Sequence, residues 1–227
     1  MNAKPGRPSP EAGDRARKAA GQRLLETYAA IAARGEHLLH GLLAGRPPKQ
    51  WQHYPDDDAI DASSGYQWFY HSHSPEDRPG AAEHGHFHLF ARRPLWSRRL
   101  QSKAEKAFAA MTGEPRKAIT TRHLLTIGLN AKGLPISLFT VNSWVTGDLM
   151  LSAATTAQLL ASMRLDTGHP HIDTVLECVT TLCADEIREV LAARDAALSG
   201  WPARAVLDDA KLELLSERAI ALDDKLA

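Results

Sequence analysis

The sequence predicts an α+β fold, in which a small antiparallel β-sheet between about residues 66 and 142 is flanked by N-terminal and C-terminal helices. Two observations support this prediction. Apolar residues recur at helical spacing before residue 45 and after residue 149, whereas residues 66–142 contain runs that alternate apolar and polar residues with a period of two. The composition is that of a globular protein, since 44% of the residues are hydrophobic and 24% are charged.

A length of 227 residues suits one domain, which we place at residues 11–227, after a Pro- and Gly-rich tail over residues 1–10 that we expect to be disordered. No apolar run approaches the ~20 residues that a membrane helix needs, and the N-terminus lacks the apolar core of a secretory signal. Cys178 and Cys183 lie five residues apart in a predicted helix, so we expect them to be buried and unpaired. These features predict a cytoplasmic protein without membrane contact.

The helical regions are placed by their apolar stripes and by the residues that end them. The first covers residues 11–45 and ends at the Gly-Arg-Pro-Pro sequence, with Gly35 as a further break. Residues 51–64 crowd several aspartates into a short run and are predicted to be an irregular loop. The C-terminal helices are predicted over residues 149–164, 171–197 and 203–225.

The strands are placed by alternation. Residues 66–73 and 84–90 each alternate aromatic with polar residues, and the Pro-, Gly- and acid-rich residues 74–83 between them predict a surface loop. Residues 123–142 predict a hairpin, because two alternating runs enclose a turn in which Gly133 can adopt positive φ.

Residues 92–122 form a basic insert in the sheet region. They contain nine Lys or Arg and two Glu, although the whole chain has a formal net charge of zero. Such a segment is either a solvated face or a patch for an anion, and we expect an anionic small-molecule ligand as one partner. Aromatic residues do not interleave with these charges, which argues against nucleic acid.

Five of the eleven histidines lie within two predicted strands: His71, His73, His84, His86 and His88. Residues i and i+2 of a strand point to the same face. If the two strands pair with residue numbers that sum to 157, His71 lies opposite His86 and all five share one face, whereas an even sum puts the two groups on opposite faces. His123 opens the next strand and lies either beside this face or at the sheet margin.

The histidine cluster predicts a centre for a divalent transition metal, with Zn, Fe, Mn and Ni as candidates. Neutral imidazole is the commonest protein ligand for such ions, and His71, His73, His86 and His88 are the predicted ligands. Glu83 and His84 are predicted to act as the catalytic acid and base or as further ligands, and an aspartate of residues 56–61 could supply another carboxylate.

These predictions favour a metal-dependent enzyme, hydrolytic or oxygen-using, whose basic insert attracts an anionic substrate. The alternative is a non-catalytic module that uses the same sheet face to hold a metal or small ligand. A third hypothesis is an interaction protein whose basic insert binds an acidic partner in a salt-dependent manner.

Four motifs resemble those of an uncharacterised bacterial family of domains of unknown function: HYPxxD from His53, YHSH from Tyr70, EHGHFHLF from Glu83 and LFTVNSWVTGD from Leu138. The resemblance covers roughly residues 50–155. It implies that these segments belong together, and it transfers no activity.

The sequence YHSHSP from Tyr70 is also similar to the H-S-H-P core of the JAMM/MPN+ zinc isopeptidases, which implies a zinc site. Where that family continues with Ser and Asp, this chain has Ala81 and His84. The upstream catalytic Glu of the family has no counterpart on a predicted strand.

Overall fold

Seven β-strands form one sheet in the computed structural model, which describes residues 10–73, 83–113, 119–201 and 206–226. The strands are β1 (Tyr54–Ile60), β2 (Tyr66–Ser72), β3 (Gly85–Arg92), β4 (Thr121–Leu129), β5 (Pro135–Val141), β6 (Leu149–Met150) and β7 (Leu214–Ala219). Their order is β1-β2-β3-β4-β5-β7, all antiparallel, and β6 adds a short parallel pairing to β4. The sheet and its helices confirm the α+β class.

The described helices lie on both sides of the sheet region in the sequence: α1 (Pro10–Ala33), α2 (Arg93–Trp96), α3 (Lys103–Thr112), α4 (Ser143–Thr146), α5 (Ala153–Ala161), α6 (Pro170–Leu182), α7 (Ala184–Ser199) and α8 (Asp223–Leu226). Short 3-10 turns occur at Arg99–Gln101 and Val206–Asp208. Within the described residues, every helix is too short or too polar to span a lipid bilayer.

One face of the sheet packs against helices and forms the main core. Its side chains come from alternate positions of the central strands: Trp68, Tyr70, Phe87, Leu89, Leu125 and Ile127. The Trp68 indole donates a 3.0 Å hydrogen bond to Asp173 of α6, and the Tyr66 hydroxyl donates one of 2.8 Å to the Leu159 carbonyl of α5. Since burial of each large apolar side chain stabilises the fold by roughly 1.5–3 kcal/mol, this face fixes the register of the strands.

A β-bulge between β3 and β4 changes which side chains share the other face. Leu89 pairs with Leu125, but the next residue, Phe90, pairs with His123, so Leu124 is an extra residue in β4. Strict alternation would put His123 on the core face with Leu125. The bulge turns it to the opposite face instead.

Two predicted elements were wrong because non-local pairing decides them. The predicted loop at residues 51–64 contains β1, which pairs with β2. The predicted helix at 203–225 contains β7, which pairs with β5 and buries Leu215. Both strands lie at the edges of the sheet, where local sequence is a poor guide to strand formation.

Other helix boundaries also differ from prediction. The first helix ends at Ala33, before Gly35 with its φ of +67°, and residues 34–46 are mainly turns. The predicted helix at 171–197 is interrupted at Cys183 between α6 and α7, and the region predicted to begin a helix at 149 begins with β6. Both cysteines are buried and unpaired, as expected.

The hairpin of β4 and β5 is confirmed, with Gly133 at a φ of +75° in its turn.

The predicted tail at residues 1–10 lies outside the described residues except for Pro10. The predicted loop at 74–83 does so except for Glu83, and residues 114–118 of the basic insert are outside as well.

Candidate metal centre

The pairing of β2 with β3 brings two histidines face to face. His71 lies opposite His86, and Phe69 lies opposite His88. This is the odd register on which the predicted cluster depends. The cluster lies on the face of the sheet opposite the main core.

Three ring nitrogens converge on one point. The Nε2 atoms of His71, His86 and His88 are separated by 2.6 Å (His71 to His86), 3.1 Å (His86 to His88) and 3.2 Å (His71 to His88). Two nitrogens bound to one ion at about 2.05 Å lie ~2.9 Å apart at a right angle and ~3.3 Å apart at a tetrahedral angle. The observed separations fall close to this range, so the three imidazoles can share one ion.

Hydrogen bonding alone cannot satisfy this triangle when the rings are neutral. Each neutral Nε2 carries either a proton or a lone pair, and among three atoms at least two are in the same state. At least one of the three contacts therefore sets two protons or two lone pairs against each other. A cation removes the conflict, because all three nitrogens then present lone pairs to it.

Burial favours the neutral form of His71 and His88, which is the form that binds a metal. Burial, followed by repulsion from His86 and His73, lowers the pKa of His71 to about 2. The pKa of His88 is lowered well below its ordinary value, again mainly by burial and then by His86. Burial also lowers the pKa of His123 to about 3, with the Arg194 guanidinium as a further cause.

A buried carboxylate fixes the orientation of one candidate ligand. Glu83 Oε1 lies 3.1 Å from Nδ1 of His86, and the two side chains are 5% and 4% exposed. An ionised carboxylate only accepts, so Nδ1 of His86 donates, and in the neutral ring Nε2 then carries the lone pair that faces the cluster. This carboxylate–histidine arrangement is typical of metal sites.

His73 lies beside the triangle rather than in it. One ring nitrogen from each of His71, His73 and His86 forms a group whose members lie within 4.8 Å of one another, a second grouping that could hold a metal ion. His71 and His86 are common to both groups. The structure thus brings all four predicted ligands to one site.

His84 does not join this cluster, contrary to the expectation that all five histidines share a face. The backbone bends at His84, just before β3 begins at Gly85. His84 is exposed and lines a second cavity with Tyr70, His37 and His40, whereas Glu83 points to the cluster. Strict alternation would put His84 on the cluster face and Glu83 on the core face, and the bend reverses these positions.

The cluster forms part of the wall of an open cavity of about 340 Å³. Its lining combines seven apolar residues, five histidines and five other polar or acidic residues: Trp51, His53, Asp58, Gln67, Phe69, His71, His73, His86, His88, Phe90, Phe139, Val141, Val145, Thr146, Asp148, Glu213 and Leu214. A cavity of this volume suits a small molecule.

A second carboxylate–imidazole pair lies in the same wall. His53 Nδ1 is 3.1 Å from Asp58 Oδ1, and Gln67 donates a 2.7 Å hydrogen bond to Asp58 Oδ2. The His53 ring stacks on Phe69 with centroids 3.7 Å apart, and it lies 6.0 Å from the ring of His71. Asp58 has a φ of +55°, unusual for a residue with a side chain and often associated with functional sites.

The charged residues of the cavity wall are acidic: Asp58, Asp148 and Glu213 are among the described lining residues, and Lys and Arg are not. Arg122 of the basic insert instead stacks on Trp96 at 4.0 Å and donates to nearby carbonyls. Asp148 accepts a hydrogen bond from Thr121, and burial raises its pKa. The described basic residues therefore do not form the cavity wall.

Sequence reasoning did not single out His53 or Thr126, it named Asp58 only within the acidic run of residues 56–61, and it left His123 undecided. His53 and Asp58 are the first and last residues of the HYPxxD motif, and that motif was the signal that could have identified them. No local signal predicts the bulge that brings His123 and Thr126 to His88.

Comparisons with known proteins give one match. A family model described as "Domain of unknown function (DUF6969)" matches residues 18–220. No curated protein and no solved structure matches the chain. The comparisons thus support the resemblance to an uncharacterised family and do not support the similarity to JAMM/MPN+ isopeptidases.

Proposed function

The chain belongs to the DUF6969 family of unknown function, and from its geometry we propose that the histidine cluster is a mononuclear metal centre of a hydrolytic enzyme. The observation that carries the proposal is the convergence of three Nε2 atoms beside an open cavity. An ion held there would supply a Lewis acid and would lower the pKa of a coordinated water, which falls to about 7 in zinc enzymes.

His71, His86 and His88 would hold the ion. Three neutral imidazoles leave its full charge available to polarise water or substrate, and imidazole donors suit Zn²⁺, Fe²⁺ and Ni²⁺ better than Mn²⁺. His73 would be a fourth donor or a contact to the substrate. Since Glu83 holds the far nitrogen of His86, we assign it a positioning role, and we assign none to His84.

His53 would act as the general base that takes a proton from the attacking water. Its Nδ1 is held by Asp58, so its Nε2 is the nitrogen left for the cavity. A general base within the wall of the substrate cavity accelerates hydrolysis by roughly 10²–10⁴-fold. The stacking on Phe69 keeps the imidazole beside the cluster without making it a ligand.

The cavity wall favours a neutral or cationic substrate over the anionic one predicted from sequence. Asp58, Asp148 and Glu213 repel an anion, and the aromatic and aliphatic lining suits an apolar body. An anion would bind here only through the metal itself. The substrate class is therefore a small, partly apolar molecule with a hydrolysable bond.

The metal content of the purified protein tests the proposal. We expect about one equivalent of a divalent transition metal per chain after dialysis, and loss of it in the His86→Ala/His88→Ala double variant. The matched control is His37→Ala/His40→Ala, which also removes two histidines but from the second cavity. Equal metal in the parent and the cluster variant would overturn the proposal.

Activity separates the reaction types. The metal-loaded protein is assayed with p-nitrophenyl acetate for hydrolysis and, after loading with Fe²⁺, for oxygen uptake. Metal-dependent ester cleavage that the cluster variant lacks supports the hydrolase. Oxygen uptake without ester cleavage would replace it by an oxygen-using enzyme, and stoichiometric metal with neither activity would favour the non-catalytic module.

A further inference from the structure

We infer that His123, together with Thr126, is a positioning residue of the metal centre: the two side chains accept the hydrogen bond from Nδ1–H of His88 and so direct its Nε2 lone pair to the ion. The inference rests on the proposed metal centre. It assigns a task to a buried histidine that no local sequence pattern places at the site.

Three polar atoms form a closed group behind His88. Its Nδ1 lies 3.1 Å from His123 Nε2 and 3.2 Å from Thr126 Oγ1, and the latter two atoms are 3.2 Å apart. His88, His123 and Thr126 are 1%, 2% and 0% exposed. Solvent therefore does not compete for these hydrogen bonds, and each proton must be shared within the group.

The possible proton arrangements differ in their effect on the cluster. When His88 Nδ1 donates, either directly to His123 or to Thr126 while the threonine hydroxyl donates to His123, Nε2 of His88 is a lone pair. When His123 Nε2 donates to His88 instead, the His88 proton moves to Nε2 and points into the triangle. Only the first arrangement lets His88 act as a ligand.

The two ligands of β3 are thus supported in different ways. Nδ1 of His86 meets a carboxylate, Glu83, whereas Nδ1 of His88 meets the uncharged pair His123 and Thr126. Both partners accept a hydrogen bond, but only Glu83 adds negative charge. These two supports would orient both imidazoles. Because only one support is charged, most of the positive charge of the ion would remain to polarise a molecule in the cavity.

The β-bulge is the feature of the fold that makes this support possible. Because Leu124 is the extra residue, His123 and Thr126 lie on one face although they are three positions apart. The ring of His123 packs 5.2 Å from that of Phe90 and 5.1 Å from that of His88. A phenylalanine would fill the same space without accepting a hydrogen bond.

The test compares a His123→Phe/Thr126→Val double variant with the parent and with His123→Gln, whose amide oxygen can still accept. Long-range ¹H–¹⁵N NMR of the metal-free proteins reports which nitrogen of His88 carries the proton, and titration with Zn²⁺ or Co²⁺ gives the metal affinity. Thr140→Val is the matched control, since Thr140 is buried in the neighbouring strand and bonds Ser216 rather than the cluster.

We expect the proton on Nδ1 of His88 in the parent and in His123→Gln, and a shift towards Nε2 in the double variant. Metal affinity should fall about 10–100-fold in the double variant and stay near the parental value in His123→Gln and Thr140→Val. Where the double variant does not fold, His123→Phe alone is measured in its place.

An unchanged His88 tautomer together with unchanged affinity in the double variant would overturn the inference, while metal in the parent would leave the proposed function standing. A parent that binds no metal would overturn the proposed function and, with it, the positioning role at a metal centre. The NMR measurement on metal-free protein would still decide whether His123 and Thr126 set the tautomer of His88.

Discussion

His71 and His86 stand directly opposite each other in neighbouring antiparallel strands, with their Nε2 atoms 2.6 Å apart. This contact couples the site to the fold, because a shift of one residue in the pairing of β2 and β3 would send one ring to the core face. The geometry of the candidate centre therefore depends on the register of these two strands.

Replacing Gly85 by alanine tests whether metal binding depends on the pairing of β2 with β3. A Cβ there would meet the Tyr70 hydroxyl and lie 2.7 Å from the backbone oxygen of His71, so the strands must separate. We expect Gly85→Ala to lower the free energy of unfolding by about 1–3 kcal/mol and to weaken metal binding although no ligand is removed. Urea unfolding and metal titration measure the two effects. Gly41→Ala is the control, since nothing lies within 4 Å of its added Cβ, and equal stability of the two variants would refute the coupling.

The metal-free protein should lose stability as the pH falls below about 6.5. The pKa values of His71 and His123 are lowered to about 2 and about 3 in the folded chain, so below pH 6.5 the unfolded chain binds more protons. The free energy of unfolding is therefore greatest above about pH 6.5, the pKa of histidine in the unfolded chain. It decreases as the pH falls towards the pKa values of these rings in the folded chain, by up to about 1.4 kcal/mol per pH unit for each such ring. Chelator-treated protein unfolded in urea between pH 7.5 and 4.5 shows the slope. A His71→Ala/His123→Phe variant with the same slope as the parent would contradict this account.

Asp58 should affect the rate of hydrolysis without affecting metal binding. It hydrogen-bonds to His53 and Gln67, which are not predicted ligands, and asparagine also tolerates positive φ. We expect Asp58→Asn to keep the parental metal content and to lower metal-dependent ester hydrolysis at least ~10-fold, because His53 loses its charged partner. Asp57→Asn, a change in the adjacent exposed residue, should leave both unchanged. Parental activity in Asp58→Asn would remove His53 from the proposed mechanism.

The acidic wall should select ligands by charge. Benzylamine and benzoate have similar size and opposite charge, and we expect the metal-free protein to bind benzylamine about tenfold or more tightly, as measured by NMR titration. The preference should shrink in Asp148→Asn. Tighter binding of benzoate to metal-free protein would restore the anionic substrate that the basic insert suggested.

The sequence allowed prediction of the features that depend on local pattern. Alternation in β2 and β3 placed both strands, and the rows of histidines at every second residue placed four ligand candidates on one face. Gly133 identified the turn between β4 and β5. Each of these follows from the period of a strand or from the φ angle of a single residue.

The remaining features depend on pairings that the local sequence does not specify. β7 is a strand because β5 offers it a partner, although its composition suits a helix. His123 reaches the cluster through an extra residue at Leu124, and His84 leaves it through a bend before Gly85. A bulge or bend of one residue reverses every alternation argument beyond it.

X-ray absorption at the metal K-edge of the metal-loaded protein tests the central claim most directly. We predict a first shell with three or four imidazole nitrogens at about 2.0–2.1 Å, and at most two such nitrogens around any metal that the His86→Ala/His88→Ala variant retains in excess metal. A shell dominated by oxygen or sulfur, or one that the double variant leaves unchanged, would contradict the convergence of His71, His86 and His88 on one ion.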